Sequence, residues 1–199
     1  MKKIFLMAAL VLSGLAAKAQ VEPGTFTLMP KVGLNMATMT GGEDTKMKAG
    51  AVAGVEAEYR ATNLIGVSAG LLYSMQGVRD DVPQGSSKYC NDYLNIPILA
   101  NFYVWKGLAL KVGIQPGFMV SSKYKWDDGD GHDGDTDTKD YYESFDFSVP
   151  VGASYEWNGY VLDLRYNIGV TKVNKNSGPG IDDTRNGVLA ITLGYKFSL

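Results

Sequence analysis

Two sets of side chains in this sequence could do chemistry. The first is the acidic run WDDGDGHDGDTDTKD, in which Asp127, Asp128, Asp130, Asp133, Asp135, Asp137 and Asp140 could offer hard oxygen ligands to calcium. The best metal candidates are Asp128, Asp130, Asp133, Asp135 and Asp137, but their spacing does not make an EF-hand. Taking Asp133 as first ligand puts Thr138 where the turn glycine belongs and Ser144 where the bidentate glutamate belongs. The run is expected to be a solvated surface loop with no bound metal. His132, the only histidine, sits inside it among glycine and aspartate, without the nearby nucleophile or base that a catalytic imidazole needs. No enzymatic activity and no cofactor are expected.

The second set is scattered but regular. Lys31, Arg60, Lys111, Arg165 and Lys196, with Glu56, Glu58, Asp146, Glu156 and Asp163, all fall on the polar parity of amphipathic stretches, five of each sign. Unpaired charge in a narrow, poorly solvated space costs several kcal/mol, so equal numbers imply pairing. Counting from the short turns puts Lys111, Glu156 and Asp163 at similar depth, and Arg60, Glu58 and Lys196 toward one end.

The elements that carry these charges are strands. Tyr93 to Phe118 reads as two long strands joined at Trp105-Lys106-Gly107. Leu94, Ile96, Ile98, Ala100, Phe102 and Val104 alternate with Asn95 and Asn101, and Leu108, Leu110, Val112 and Ile114 with Lys111 and Gln115. Similar blocks start near Thr25, Ala51, Ile65, Phe145, Tyr160 and Leu189, giving eight strands. Asn158-Gly159 is a strong two-residue hairpin signal, because both positions favour φ > 0. Connections alternate long and short from first to last. Strands of this length suit a membrane wall, which needs about 9–11 residues per tilted strand, better than a soluble sheet with a usual length of about 5–6. The fold expected is all-β: an eight-stranded antiparallel up-and-down transmembrane β-barrel.

Small residues decide which face points inward. Gly33, Gly54, Gly66, Gly70, Gly113, Gly117, Gly152, Gly169 and Gly194 share the polar parity. Glycine weakens a solvated strand, but it relieves crowding inside an eight-stranded barrel, where side chains barely fit. Polar residues are therefore placed inside and apolar ones toward lipid. Tyr59, Trp157, Tyr160, Tyr195 and Phe197 gather near the short turns, and Tyr73, Phe118 and Phe145 near the long connections, as two interfacial girdles. Pro30, Pro97, Pro116 and Pro150 fall within strands, where bulges or local breaks are expected.

Met1 to Ala19 has Lys2 and Lys3, an apolar run from Ile4 to Ala17 and the small-x-small site Ala17-Lys18-Ala19. That is the pattern of a cleaved signal peptide, leaving Gln20 to Leu199 as one domain. No cysteine follows the run to take a lipid anchor. Cys90 is the only cysteine, so neither an internal disulfide nor a cysteine metal cluster can form. The formal net charge is −2, more negative by three once Lys2, Lys3 and Lys18 are removed, which argues against a nucleic-acid partner.

The segment YLNIPIL, Tyr93 to Leu99, with the leader, the eight strand blocks and the closing GYKFSL, Gly194 to Leu199, resembles the PorT-like outer-membrane β-barrel family of Bacteroidota. The resemblance spans essentially the whole mature chain. It implies an outer-membrane location, contact with outer-membrane lipid, and a last strand read by the barrel assembly machinery, although the chain ends in Leu199 and not in an aromatic residue. The family's namesake is linked to secretion. Three functional classes follow: a structural or interaction barrel presenting its loops to a protein or surface ligand, a small transport or secretion-associated barrel, and a lipid-modifying barrel enzyme. The polar interior favours the first, with a lumen closed by its own charges.

Overall fold

Alternation at period two over ten or more residues is satisfied by an extended chain with different surroundings on its two faces. The computed structural model describes residues 22–40, 46–82, 85–127, 133–174 and 184–199. The leader, Asp128, Asp130 and His132 lie outside the described residues. The strands are β1 (Phe26–Thr40), β2 (Lys46–Arg60), β3 (Ile65–Val82), β4 (Gly85–Asn95), β5 (Ile98–Trp105), β6 (Leu108–Asp127), β7 (Asp133–Asp137), β8 (Phe145–Trp157), β9 (Tyr160–Gly169), β10 (Arg185–Tyr195) and β11 (Phe197–Ser198). A short 3-10 turn at Lys139–Tyr141 follows β7.

Eight wall strands close into a ring, because β4 and β5 make one wall strand interrupted at Ile96-Pro97, and β10 and β11 another interrupted at Lys196. Each wall strand pairs antiparallel with its neighbour in sequence. β1 closes the ring against β10 and β11, with Lys31 opposite Gly194 and Leu28 opposite Phe197. The four strand prolines all fall at one-sided gaps in this ladder, since a residue without N–H cannot complete it. Pro97 divides β4 from β5, Pro116 faces that same gap, Pro30 faces the gap between β10 and β11, and Pro150 faces the break in the β6–β8 ladder at Gly113, which pairs with Leu99 on its other side. Gly107 (φ 75) turns the β5–β6 hairpin. Asn158 (φ 49) and Gly159 (φ 82) turn β8 into β9.

The apolar parity faces outward: Leu34 is 66% exposed and Val32 61%, whereas Lys31, next to Val32 on the other parity, is buried. The outer girdle forms along one row, Tyr73 opposite Leu94, Leu94 opposite Phe118 and Phe118 opposite Phe145. The inner girdle runs Tyr155, Trp157, Tyr160, Tyr195, Phe197, with neighbouring ring centroids 4.8–6.1 Å apart. Phe197 differs from the expectation in being buried, covered by Tyr195. Crowding inside is real: a Cβ on Gly113 would lie 2.0 Å from the Ile98 carbonyl oxygen, and one on Gly54 would lie 2.1 Å from that of Leu71.

Two features depart from the alternation. The interior is not uniformly polar, because Met29, Val52, Leu72, Leu99, Met119 and Val161 are buried there as well. The acidic connection also begins as regular structure. β6 runs for 20 residues to Asp127, and β7 folds back on it, pairing Lys123 with Asp137 and Lys125 with Asp135. Twenty residues at about 3.3 Å each exceed what a bilayer needs, so β3, β4, β6 and β7 raise one side of the wall above the outer girdle.

Candidate functional site: a charged lumen below a raised outer wall

All ten charged residues on the polar parity point into the lumen, and they divide into two clusters and one outlier. The larger cluster takes Lys31 from β1, Glu56 from β2, Lys111 from β6, and Asp163 and Arg165 from β9. The Asp163 Oδ2 oxygen lies 2.6 Å from Lys111 Nζ, 2.9 Å from Arg165 Nη2 and 3.4 Å from Lys31 Nζ. Glu56 faces the same three cations at 3.7, 3.2 and 3.3 Å. Each cation therefore bridges both carboxylates, and every member has a side chain 4% exposed or less. Burying an ion is tolerated only where its partners replace water in this way.

The second cluster lies nearer the short turns. Lys196 Nζ sits 3.0 Å from Glu58 Oε2 and 2.8 Å from Glu156 Oε2, and Arg60 meets the same two carboxylates at 3.6 and 3.8 Å. Tyr103 ties them together. Its hydroxyl donates to Glu58 and accepts from Lys196 Nζ at 3.0 Å, while the Arg60 guanidinium stacks 3.2 Å from its ring centroid. That is a cation–π contact as well as a hydrogen-bonded bridge.

Glu156 thus does not join Lys111 and Asp163, contrary to the depth count. The register explains why: Lys111 stands opposite Gly152, four residues up β8 from Glu156, and Asp163 stands opposite Ser154. Barrel stagger shifts neighbouring strands past one another, so counting from the turns overstates their alignment. Asp146 is the outlier. It is buried in the outer half, where its Oδ1 accepts from the Thr171 hydroxyl at 3.1 Å, and it makes no ion pair among the described residues.

Above the charges the lumen is filled by amides, hydroxyls and aromatic rings. Asn35 and Gln76 both donate to Ser74 Oγ, Ser122 donates to Asn91, and Asn186 donates to the fully buried Tyr93. Tyr124 and Tyr142 pack against Tyr89 at the outer mouth. Sequence reading passed over Tyr93 and Tyr103, yet both share the parity of Asn95 and Asn101, and that parity was the signal available.

In the acidic segment, Asp135 pairs with Lys123 at 2.8 Å and Asp137 accepts from the Lys139 backbone N–H at 2.9 Å. The hydrogen bond from exposed Lys123 holds the Asp135 carboxyl below its ordinary range, and raises the Lys123 amine in turn. Asp140 lies exposed on the 3-10 turn. Only the backbone is described at Asp127 and Asp133. Among the described residues no three metal-ligating side chains converge.

Comparison with known proteins agrees with this architecture. The family model of the outer membrane protein beta-barrel domain matches residues 18–175. The crystal structure of Ail, the attachment invasion locus protein of Yersinia pestis, in complex with the heparin analogue sucrose octasulfate, is similar at 16% identity, with 89% of this chain and 100% of that chain covered and a TM-score of 0.51. Neisserial surface protein A is similar at 18% identity over 86% of this chain and 97% of its own, with a TM-score of 0.49. At such identity the likeness to Ail shows the fold alone. No curated protein matches the sequence.

Proposed function

Because this chain belongs to the outer membrane protein beta-barrel domain family and resides in the outer membrane, we propose that it is a closed, non-enzymatic barrel whose work is done by its raised outer wall and long connections. The observation that carries the reading is the sharing of Asp163 Oδ2 among Lys31, Lys111 and Arg165, which come from three different wall strands. Together with the bridge through Tyr103, this fills the lumen where an open channel would need water. Eight strands enclose a space that side chains can fill, and here they do so with charged groups that share partners across the lumen.

The partner is a protein or surface ligand at the outer rim. Ail, a barrel of similar shape, holds a heparin analogue in its crystal structure, which supports a binding role for this one. The kinship with PorT-like barrels, carried by Tyr93 to Leu99 and Gly194 to Leu199, belongs to the same reading, as do removal of Met1 to Ala19 on export and recognition of the last strand by the barrel assembly machinery. Liposome swelling tests the closed lumen. Vesicles carrying the protein should exclude small sugars as well as empty vesicles do, and rapid swelling would replace this reading with a transport barrel.

A further inference from the structure

The larger ion cluster is not neutral. Among the described residues Lys31, Lys111 and Arg165 face only Glu56 and Asp163, leaving one positive charge in excess. The outlying Asp146 does not supply the balance. It lies six residues along β8 from Gly152, the residue opposite Arg165, about 20 Å of strand at 3.3 Å per residue. A buried net charge is costly unless something nearby offsets it.

Immediately above this cluster is a cavity of about 20 Å³, bordered by Lys31, Ser74, Asp163, Arg165, Asn167 and Thr192. Arg165 Nε, the Thr192 hydroxyl and the Asn167 side-chain oxygen have no hydrogen-bond partner among the described residues. All three residues are more than nine-tenths buried, at 3%, 4% and 7% exposure. Ser74 Oγ accepts from both Asn35 and Gln76, so its own O–H is left to donate elsewhere. The Asn167 amide can present its NH2 to the cavity by rotating about its terminal bond. The site thus gathers N–H and O–H donors beside an uncompensated cation. Asp163, the one carboxylate at its edge, has its Oδ2 engaged by all three cations.

We propose that this cavity binds one monovalent anion of halide size, chloride being the natural candidate, and that the anion neutralises the third cation of the cluster. A site with two to four polar partners and room for a water-sized particle also suits water. The excess charge is what selects an anion. The site goes beyond the closed-barrel reading and does not depend on it, because an ion-conducting barrel could hold it equally.

The test uses the full mature barrel refolded in detergent. Its unfolding midpoint is measured in sodium chloride or sodium bromide against sodium gluconate at equal ionic strength, and crystals soaked in bromide are examined for anomalous scattering. Halide should raise the midpoint along a saturating curve, as for a ligand that binds only the folded state, and a bromide peak should lie in the cavity. Thr192→Val removes one donor while keeping a β-branched side chain, and should raise the half-saturating halide concentration about ten-fold, the effect of losing one hydrogen bond to a charged group. Lys31→Met balances the cluster without an anion and should abolish the halide response in whatever fraction folds. A midpoint indifferent to halide, or a bromide peak confined to the outer surface, would overturn the site and leave a buried water or an uncharged lysine as the answer.

Discussion

Replacing Asp163 with asparagine should destabilise the barrel far more than replacing Lys111 with methionine, although the two side chains are partners at 2.6 Å. The reason is the charge count. Lys111→Met removes one cation from a cluster of three cations and two carboxylates, and Lys31 and Arg165 remain to pair with Glu56 and Asp163. What is lost is a charge-assisted hydrogen bond, about 1.5–3 kcal/mol. Asp163→Asn instead leaves three buried cations around Glu56 alone. Stranding buried charge in this way costs roughly 3–5 kcal/mol. For a domain of this size, 1 kcal/mol moves the midpoint by about 2–4 °C, so the expected losses are about 7 °C for Lys111→Met and about 12 °C for Asp163→Asn. Both are read as the temperature at which the fast-migrating folded band disappears from unboiled gels. Lys123→Met, at an exposed pair on the rim, should leave that temperature unchanged, as expected of a surface ion pair. If Lys111→Met proves as damaging as Asp163→Asn, the shared-carboxylate account is wrong.

Tyr103→Phe keeps the ring beneath Arg60 but loses the bridge between Glu58 and Lys196. A cost of about 1.5–3 kcal/mol is expected, and Tyr103→Leu should cost more, by the same gel assay. Deleting Asp127 to Asp140 should leave assembly intact, because within this stretch β7 pairs only with the raised end of β6; loss of the heat-modifiable band would show the hairpin to be structural. The Asp135 carboxyl is depressed in the folded state relative to its ordinary value of 3.8. Its pairing with Lys123 is therefore fully present above that value and lost as the pH falls below it. Hydrogen exchange at β7, corrected for intrinsic rates, should accelerate there and stay level between pH 5 and 8.

Much of this could be read from the residues because one face of each strand meets lipid. Val32, Leu34, Leu110 and Val112 had to point outward, and their parity placed Lys31 and Lys111 inside. Asn158-Gly159 declared its turn through a backbone that few other pairs adopt. The grouping of the charges was harder to read, since it depends on stagger between strands: Glu156 meets Lys196 and Arg60, not Lys111. A bulge between Asp92 and Tyr93 against β6 likewise reverses parity near its top, so that Ser122 is buried and Ser121 is not. No local signal marks that extra residue. The apolar interior residues were missed for another reason: Val52, Leu72 and Met119 keep the inward parity, but their apolar type is set by the volume they fill between polar layers.

Single-channel recording in planar bilayers tests the closed lumen most directly. The wild-type barrel, verified as folded by heat-modifiability, should give no steady conductance at physiological salt and moderate voltage, because Asp163, Glu56 and Tyr103 hold the five cationic side chains across the lumen. Asp163→Asn, in the fraction that folds, should admit small ions in brief openings. Stable, ohmic currents from the wild type would contradict the account.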